Sequence, residues 1–203
     1  MAKQRAFLHI GLPHSGGELL DAGLRRYAGT LAPGLVDDRG RRVRLPARSE
    51  MEMFNAAVEM RHDHRDWGLR RKDVEGSWAR LCRRAIKNKD TVVFSHHLLA
   101  GCPPEGIALM VDQLPGCAVH VVVTVGSPDP RAAMFPADYD LTSVVERWSA
   151  AVSRPERLHL VQVDPDRPAE AWHSFGKVIG IDTRGLELPT GPVPATDPAG
   201  LRR

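Results

Sequence analysis

The sequence predicts a single α/β domain, a three-layer sandwich in which a mostly parallel sheet of about four to five strands lies between helices. Three observations predict it. Short apolar or β-branched runs alternate with stretches of helical periodicity, and parallel strands need such crossover connections. The strongest run, Val119-His120-Val121-Val122-Val123-Thr124, lacks polar alternation, as expected for a central strand covered on both faces. The first run ends in a glycine-rich turn, Gly11 to Gly17, that opens directly into a helical pattern. At 203 residues, 42% apolar and 26% charged, the chain suits one soluble domain, and no apolar run approaches a membrane span.

In chain order, Ala6-Phe7-Leu8-His9-Ile10 reads as a buried first strand closed by Gly-Leu-Pro. Leu19, Leu20, Leu24 and Tyr27 then recur at helical spacing, with Gly29 as a stop. Leu31 to Pro46 has prolines, glycines and Asp37-Asp38 without periodicity, and reads as a long connection. Two helices follow over Glu50–Met60 and Val74–Ile86, the second with Trp78, Leu81, Cys82 and Ala85 on one stripe. Thr91-Val92-Val93-Phe94-Ser95 is the second strand. Pro103 and Pro104 open a helix carried by Ile107, Met110, Val111 and Leu114, ahead of the central strand at Val119. Leu141 to Val152 gives another helix, Leu158 to Val163 a fourth strand, and Ala171 to Ile179 a last helix. The domain is expected to occupy residues 1–185, with residues 186–203, rich in Pro, Gly and Thr, as a flexible tail.

The N-terminus shows neither a normal h-region nor a small-residue cleavage site, so a cytoplasmic protein is expected. Cys82, Cys102 and Cys117 form no CxxC pair, and reduced, buried thiols are expected. The net charge of +3 hides an asymmetry: Arg39 to Lys89 holds 15 Lys/Arg against 7 Asp/Glu. Such a segment either faces a phosphate-bearing ligand or forms the solvated face of Arg-rich helices. No nucleic-acid motif accompanies it. His62-Asp63-His64-Arg65-Asp66 lacks a spaced partner set for a metal and reads as a polar turn. Trp67, Trp78, Trp148 and Trp172 sit among apolar residues and are expected in the core.

A glycine turn between a strand and a helix directs backbone N–H groups into a concavity that the helix N-terminus makes more positive. The fold is therefore expected to be of the P-loop type, although GxxxxGK[ST] is absent and the turn has no lysine. Here Phe7-Leu8-His9-Ile10-Gly11-Leu12-Pro13-His14-Ser15-Gly16-Gly17-Glu18-Leu19 resembles the 5′-phosphosulfate loop of cytosolic-type sulfotransferases, which usually reads Pro-Lys-Ser/Thr-Gly-Thr-Thr. The resemblance continues through Val92 to Leu99, Pro104-Glu105 and Val119 to Thr124. From about Ala6 to Asp182 the layout is similar to that of short sulfotransferase-like proteins of actinobacteria, with a shorter segment between Pro128 and Leu141.

The resemblance implies a parallel sheet flanked by helices and transfer of a sulfuryl group from 3′-phosphoadenosine 5′-phosphosulfate to an unknown small-molecule or glycan acceptor. It implies donor binding by Pro13, His14, Ser15, Gly16, Gly17 and Glu18, with His14 at the family's lysine position and also a catalytic candidate. Gly17 and Glu18 replace the family's two threonines, and Glu18 points either beside the anion or away along the helix. The family's 3′-phosphate clamp falls on Gly126 and Met134, leaving Ser127 and Arg131 as the nearest substitutes; the alternative for Arg131 is an exposed loop arginine. His96 and His97 stand where the family carries its catalytic base. Two readings follow: a sulfotransferase, or an inactive P-loop scaffold that acts as a binding or partner protein.

Overall fold

The structure, a computed structural model, describes residues 3–12, 15–28, 34–126, 139–152 and 154–189. In chain order these residues form β1 (Gln4–Gly11), α1 (Gly17–Ala28), β2 (Val43–Arg44), α2 (Glu50–Arg61), α3 (Arg71–Val74), α4 (Ser77–Ile86) and β3 (Thr91–Ser95). A 3-10 turn (His97–Gly101) leads on to α5 (Pro104–Asp112), β4 (Cys117–Val125), α6 (Leu141–Ser149), β5 (Leu158–Gln162) and α7 (Pro168–Ile179). The five strands make one all-parallel sheet in the order β2-β3-β1-β4-β5.

Strand alternation divides the core in two. Ala6, Leu8, Ile10, Val92, Phe94, Val121 and Val123 face α2, α4, α5 and α6, whereas Phe7, Val93, Val122 and Val161 face α1 and α7. The division follows from chain direction. The β1-to-β2 connection runs toward one edge and all later connections run toward the other, so right-handed crossovers place α1 opposite α2, α4, α5 and α6. Neighbouring β1 and β3 thus send the chain to opposite faces. A crevice opens at their carboxyl ends, the switch point where open α/β sheets take ligands.

Two elements differ from the sequence expectation. The connection from Leu31 to Pro46 contains the edge strand β2, whose pairing is limited to Val43 with Thr91 and Arg44 with Val92. A two-residue strand has no periodicity to read. The helix expected over Val74–Ile86 is divided at Gly76, which takes a left-handed φ of 75°. The Glu59 carboxylate of α2 accepts from the N–H groups of Gly76 (2.6 Å) and Trp78 (2.8 Å), capping α4 from a neighbouring helix.

The connection before β2 is anchored by a buried carboxylate. Asp37 Oδ2 accepts from Arg5 (2.6 Å) and from the Thr91 hydroxyl (2.6 Å), while Oδ1 accepts from the amides of Arg39 and Arg41, each at 2.9 Å. Arg5 also pairs with Asp38.

At the far end of the domain, Trp172 Nε1 donates to the Leu186 carbonyl (3.0 Å) and the Tyr27 hydroxyl to that of Glu187 (2.7 Å). Leu186 and Leu188 pack on the α1–α7 core, so the packed chain extends past residue 185. All three cysteines are free, with Cys82 and Cys102 buried and Cys117 half-buried. Trp78 and Trp148 are buried in the core beneath α2, α4, α5 and α6, where Trp67 also packs, and Trp172 is buried in the core beneath α1 and α7. Among the described residues, no helix is long and apolar enough to cross a membrane.

Candidate functional site

The crevice at the ends of β1 and β3 is lined by His9, Gly11, Ser15, Gly17, Glu18, Asp21, Ala22, Arg25, Glu50, Ser95, His96 and His97. Each wall has a local cause. His9 is the polar interruption of β1, and register sets it beside Ser95, the last residue of β3. Glu18, Asp21 and Arg25 follow on α1 at spacings of three and four, which aligns them on one helix face. Glu50 comes from the start of α2.

The turn is closed by its own contacts. Ser15 is buried; its N–H donates to the Leu12 carbonyl (3.0 Å), and its hydroxyl lies 3.1 Å from the Thr124 hydroxyl. The Leu12 N–H donates to the Thr124 carbonyl (3.1 Å). Gly17 is required by a close approach, because a Cβ there would come within 2.7 Å of Thr124 Oγ1. Replacing Gly17 by alanine is therefore expected to lower stability by about 1–3 kcal/mol, although helix propensity alone favours alanine. Thr124→Ala, which removes the clashing oxygen, should recover most of that loss in a double-mutant cycle followed by urea denaturation.

On α1, the Glu18 side chain lines the crevice and its charge acts on His97. Asp21 is partly buried, its side chain 21% exposed. Its Oδ2 accepts from Arg25 Nε (2.8 Å), and Arg25 approaches Glu50 at 3.7 Å. Burial raises the Asp21 carboxyl above its ordinary value, with Arg25 and a hydrogen bond from Ser95 opposing.

Burial favours the neutral form of the three crevice histidines. Burial pushes His9 down to about 3, and its Nδ1 lies 2.7 Å from Ser95 Oγ. Burial, reinforced by the neighbouring His97, takes His96 well below the ordinary histidine value. His96 Nδ1 accepts the Leu98 N–H (3.2 Å), which puts the proton of the neutral ring on Nε2. Its ring stacks on His97 at 4.7 Å. Burial also lowers His97, against the pull of Glu18 and Asp21. A neutral imidazole facing the crevice can accept a proton near pH 7.

The crevice thus brings together Ser15, Gly17, Glu18, His96 and His97 from the sequence-predicted set, and Gly16 precedes it with a φ of 75°. Pro13, His14, Ser127 and Arg131 lie outside the described residues. Sequence reasoning missed His9, Asp21, Arg25, Glu50 and Ser95. Its available signals were a histidine inside an apolar strand and the acidic i, i+3 pair Glu18 and Asp21. The basic segment from Arg39 to Lys89 contributes only the carboxylate Glu50 to the described lining. Several of its cations pair locally instead, such as Arg44 with Asp90 (2.6 Å) and Arg84 with Glu52 (2.9 Å). Arg61 pairs with Asp63 at 2.5 Å. Among the described residues, no group of three His, Cys, Asp or Glu side chains is placed to hold a metal ion.

The Ser15 hydroxyl and N–H are engaged within the turn, and among the described lining residues Glu18, Asp21 and Glu50 bring three carboxylates beside the guanidinium of Arg25.

No protein-family model matches this sequence, and no curated protein matches it. Among solved structures, a gluconokinase from Sinorhizobium meliloti 1021 is similar with a TM-score of 0.38 and 11% identity, over 88% of this chain and 95% of that one. An unliganded sugar kinase from Janibacter sp. HTCC2649 gives a TM-score of 0.36 and 13% identity, over 91% of this chain and 99% of its own. At these scores the likeness identifies neither a family nor an activity.

Proposed function

We propose that this chain is a sulfotransferase-like protein of the P-loop type that keeps an acceptor-binding crevice and does not use 3′-phosphoadenosine 5′-phosphosulfate. The observation that carries the reading is the environment of the first turn of α1. Glu18 and Asp21 place carboxylates in the crevice, and Ser15 directs its polar groups into the turn. Hydrogen bonds to a charged group are each worth about 1.5–3 kcal/mol, so the loss of several, with repulsion added, moves donor affinity beyond useful range.

The expected result of calorimetric titration with adenosine 3′,5′-bisphosphate is a flat trace up to millimolar ligand. A saturable isotherm would overturn the reading. It would favour the alternative, sulfuryl transfer to a hydroxyl with His97 as base, which the place of His97 in the crevice lining supports.

A further inference from the structure

We propose that the basic groove between β2 and α4 binds an acidic peptide segment of a partner protein. The groove shares no lining residue with the crevice, so the inference stands apart from the proposed function.

Two adjoining cavities of about 350 Å³ and about 390 Å³ form the groove, with Arg48, Arg84 and Lys87 common to both. One wall is α4. Arg80, Arg83, Arg84 and Lys87 recur at i, i+3, i+4 and i+7, which sets them on one helix face, with Lys87 continuing the helical backbone as the C-cap. The other wall is the chain between β2 and α2, which brings Arg44 and Arg48. Cations near a helix C-terminus complement its dipole, and that accounts for the first wall alone. It gives no reason for two arginines of a separate element to line the same cavities.

Three of the guanidiniums are already held. Arg84 pairs with Glu52 (2.9 Å) and Arg44 with Asp90 (2.6 Å). Arg80 donates to the Ser77 hydroxyl (2.6 Å) and to the Glu75 carbonyl (3.2 Å). Fixed in this way, they lose little further freedom when a ligand arrives. Among the described residues, Arg83 and Lys87 are exposed and take part in no ion pair. Six cations against two carboxylates leave the lining strongly positive, which draws an anion toward it.

Spacing selects the kind of anion. Arg80 and Arg84 lie one helical turn apart, as do Arg83 and Lys87, about 6 Å along the axis. Alternate side chains of an extended peptide lie about 7 Å apart, so successive acidic residues can meet successive cations. Leu45 and Pro46 also line the groove and offer an apolar contact for a neighbouring side chain. A compact phosphate chain would press all its charge against Glu52 and Asp90, whereas spaced carboxylates can alternate with them. No aromatic ring is among the described lining residues, so a nucleobase would find no stacking platform.

The test titrates a capped peptide of glutamates with one central leucine into the full-length protein, following the arginine Nε–H signals by NMR and the affinity by calorimetry. Saturable shifts at Arg48 and Arg83 are expected, with a dissociation constant on the order of 100 μM at low salt that weakens roughly tenfold as salt is raised. Lys87→Glu should weaken binding about tenfold and Arg83→Gln about threefold. Lys72→Glu makes the same charge change as Lys87→Glu on α3, outside the groove, and should alter affinity less than about twofold. All three side chains are exposed, so the urea midpoints should match that of the unsubstituted protein. Equal weakening by Lys72→Glu and Lys87→Glu would overturn the inference, because net charge would then suffice. So would a peptide with glutamine in place of glutamate that binds equally well, or the lack of any saturable shift. Tripolyphosphate that displaces the peptide at an equal or lower concentration would overturn it in favour of a phosphate site.

Discussion

Replacing Asp37 by alanine is expected to remove about 3–5 kcal/mol of folding stability, because it leaves a buried network without its centre. Arg5 is 7% exposed and Asp37 is 5% exposed, so neither charge can turn to water when the other is lost. The substitution also strips the Thr91 hydroxyl and the amides of Arg39 and Arg41 of their acceptor. Asp38 still reaches Arg5, which holds the effect within this range. Urea denaturation should show a lower midpoint with an unchanged slope. A change under about 1 kcal/mol would show that the network does not anchor this connection.

The same carboxylate sets a pH dependence. Burial by itself would raise the Asp37 pKa, but hydrogen bonds from Thr91, Arg5 and the backbone of Arg41 and Arg39 outweigh it and hold the group at about 2. The folded value is depressed, so the contribution is complete above the ordinary carboxylate range and disappears as pH falls toward about 2. The alanine variant should lack this part of the acid-induced loss of stability.

Trp78→Ala is expected to lower stability by a similar amount, about 3–5 kcal/mol. The indole is fully buried, lies 4.7 Å from the Phe94 ring on β3, and donates from Nε1 to the Met110 carbonyl of α5 at 3.4 Å. One side chain therefore ties α4 to the sheet and to the next helix. Removing it opens a cavity that neighbours on three elements cannot all move to fill. Trp78→Phe retains much of the volume and should show a smaller loss in the same denaturation experiment. Equal losses for the two variants would show that volume is not what this position supplies.

The larger elements were legible in the sequence. The apolar runs at Ala6, Thr91 and Val119 became β1, β3 and β4, since strands buried on both faces must be apolar throughout. Pro104 opens α5 and Gly180 closes α7 in the left-handed conformation, the local chemistry expected at helix ends. β2 was not legible, because two residues paired at a sheet edge leave no pattern. The division of α3 from α4 was also hidden. Gly76 marks it, but the Glu59 cap that satisfies the new helix start comes from 17 residues earlier.

For the site, the sequence determined a strand, a glycine turn, a helix, and two histidines after the second long strand. Those are local patterns, and chain order alone expresses them. Tertiary structure decided what the turn faces. Strand register placed His9 beside Ser95, packing against Thr124 drew Ser15 into the turn, and the helix face turned Glu18 and Asp21 toward His97. Whether a concavity is lined by cations or by carboxylates depends on side chains converging from β1, β3, α1 and α2. That convergence is a property of the sheet order, and no segment of the sequence carries it alone.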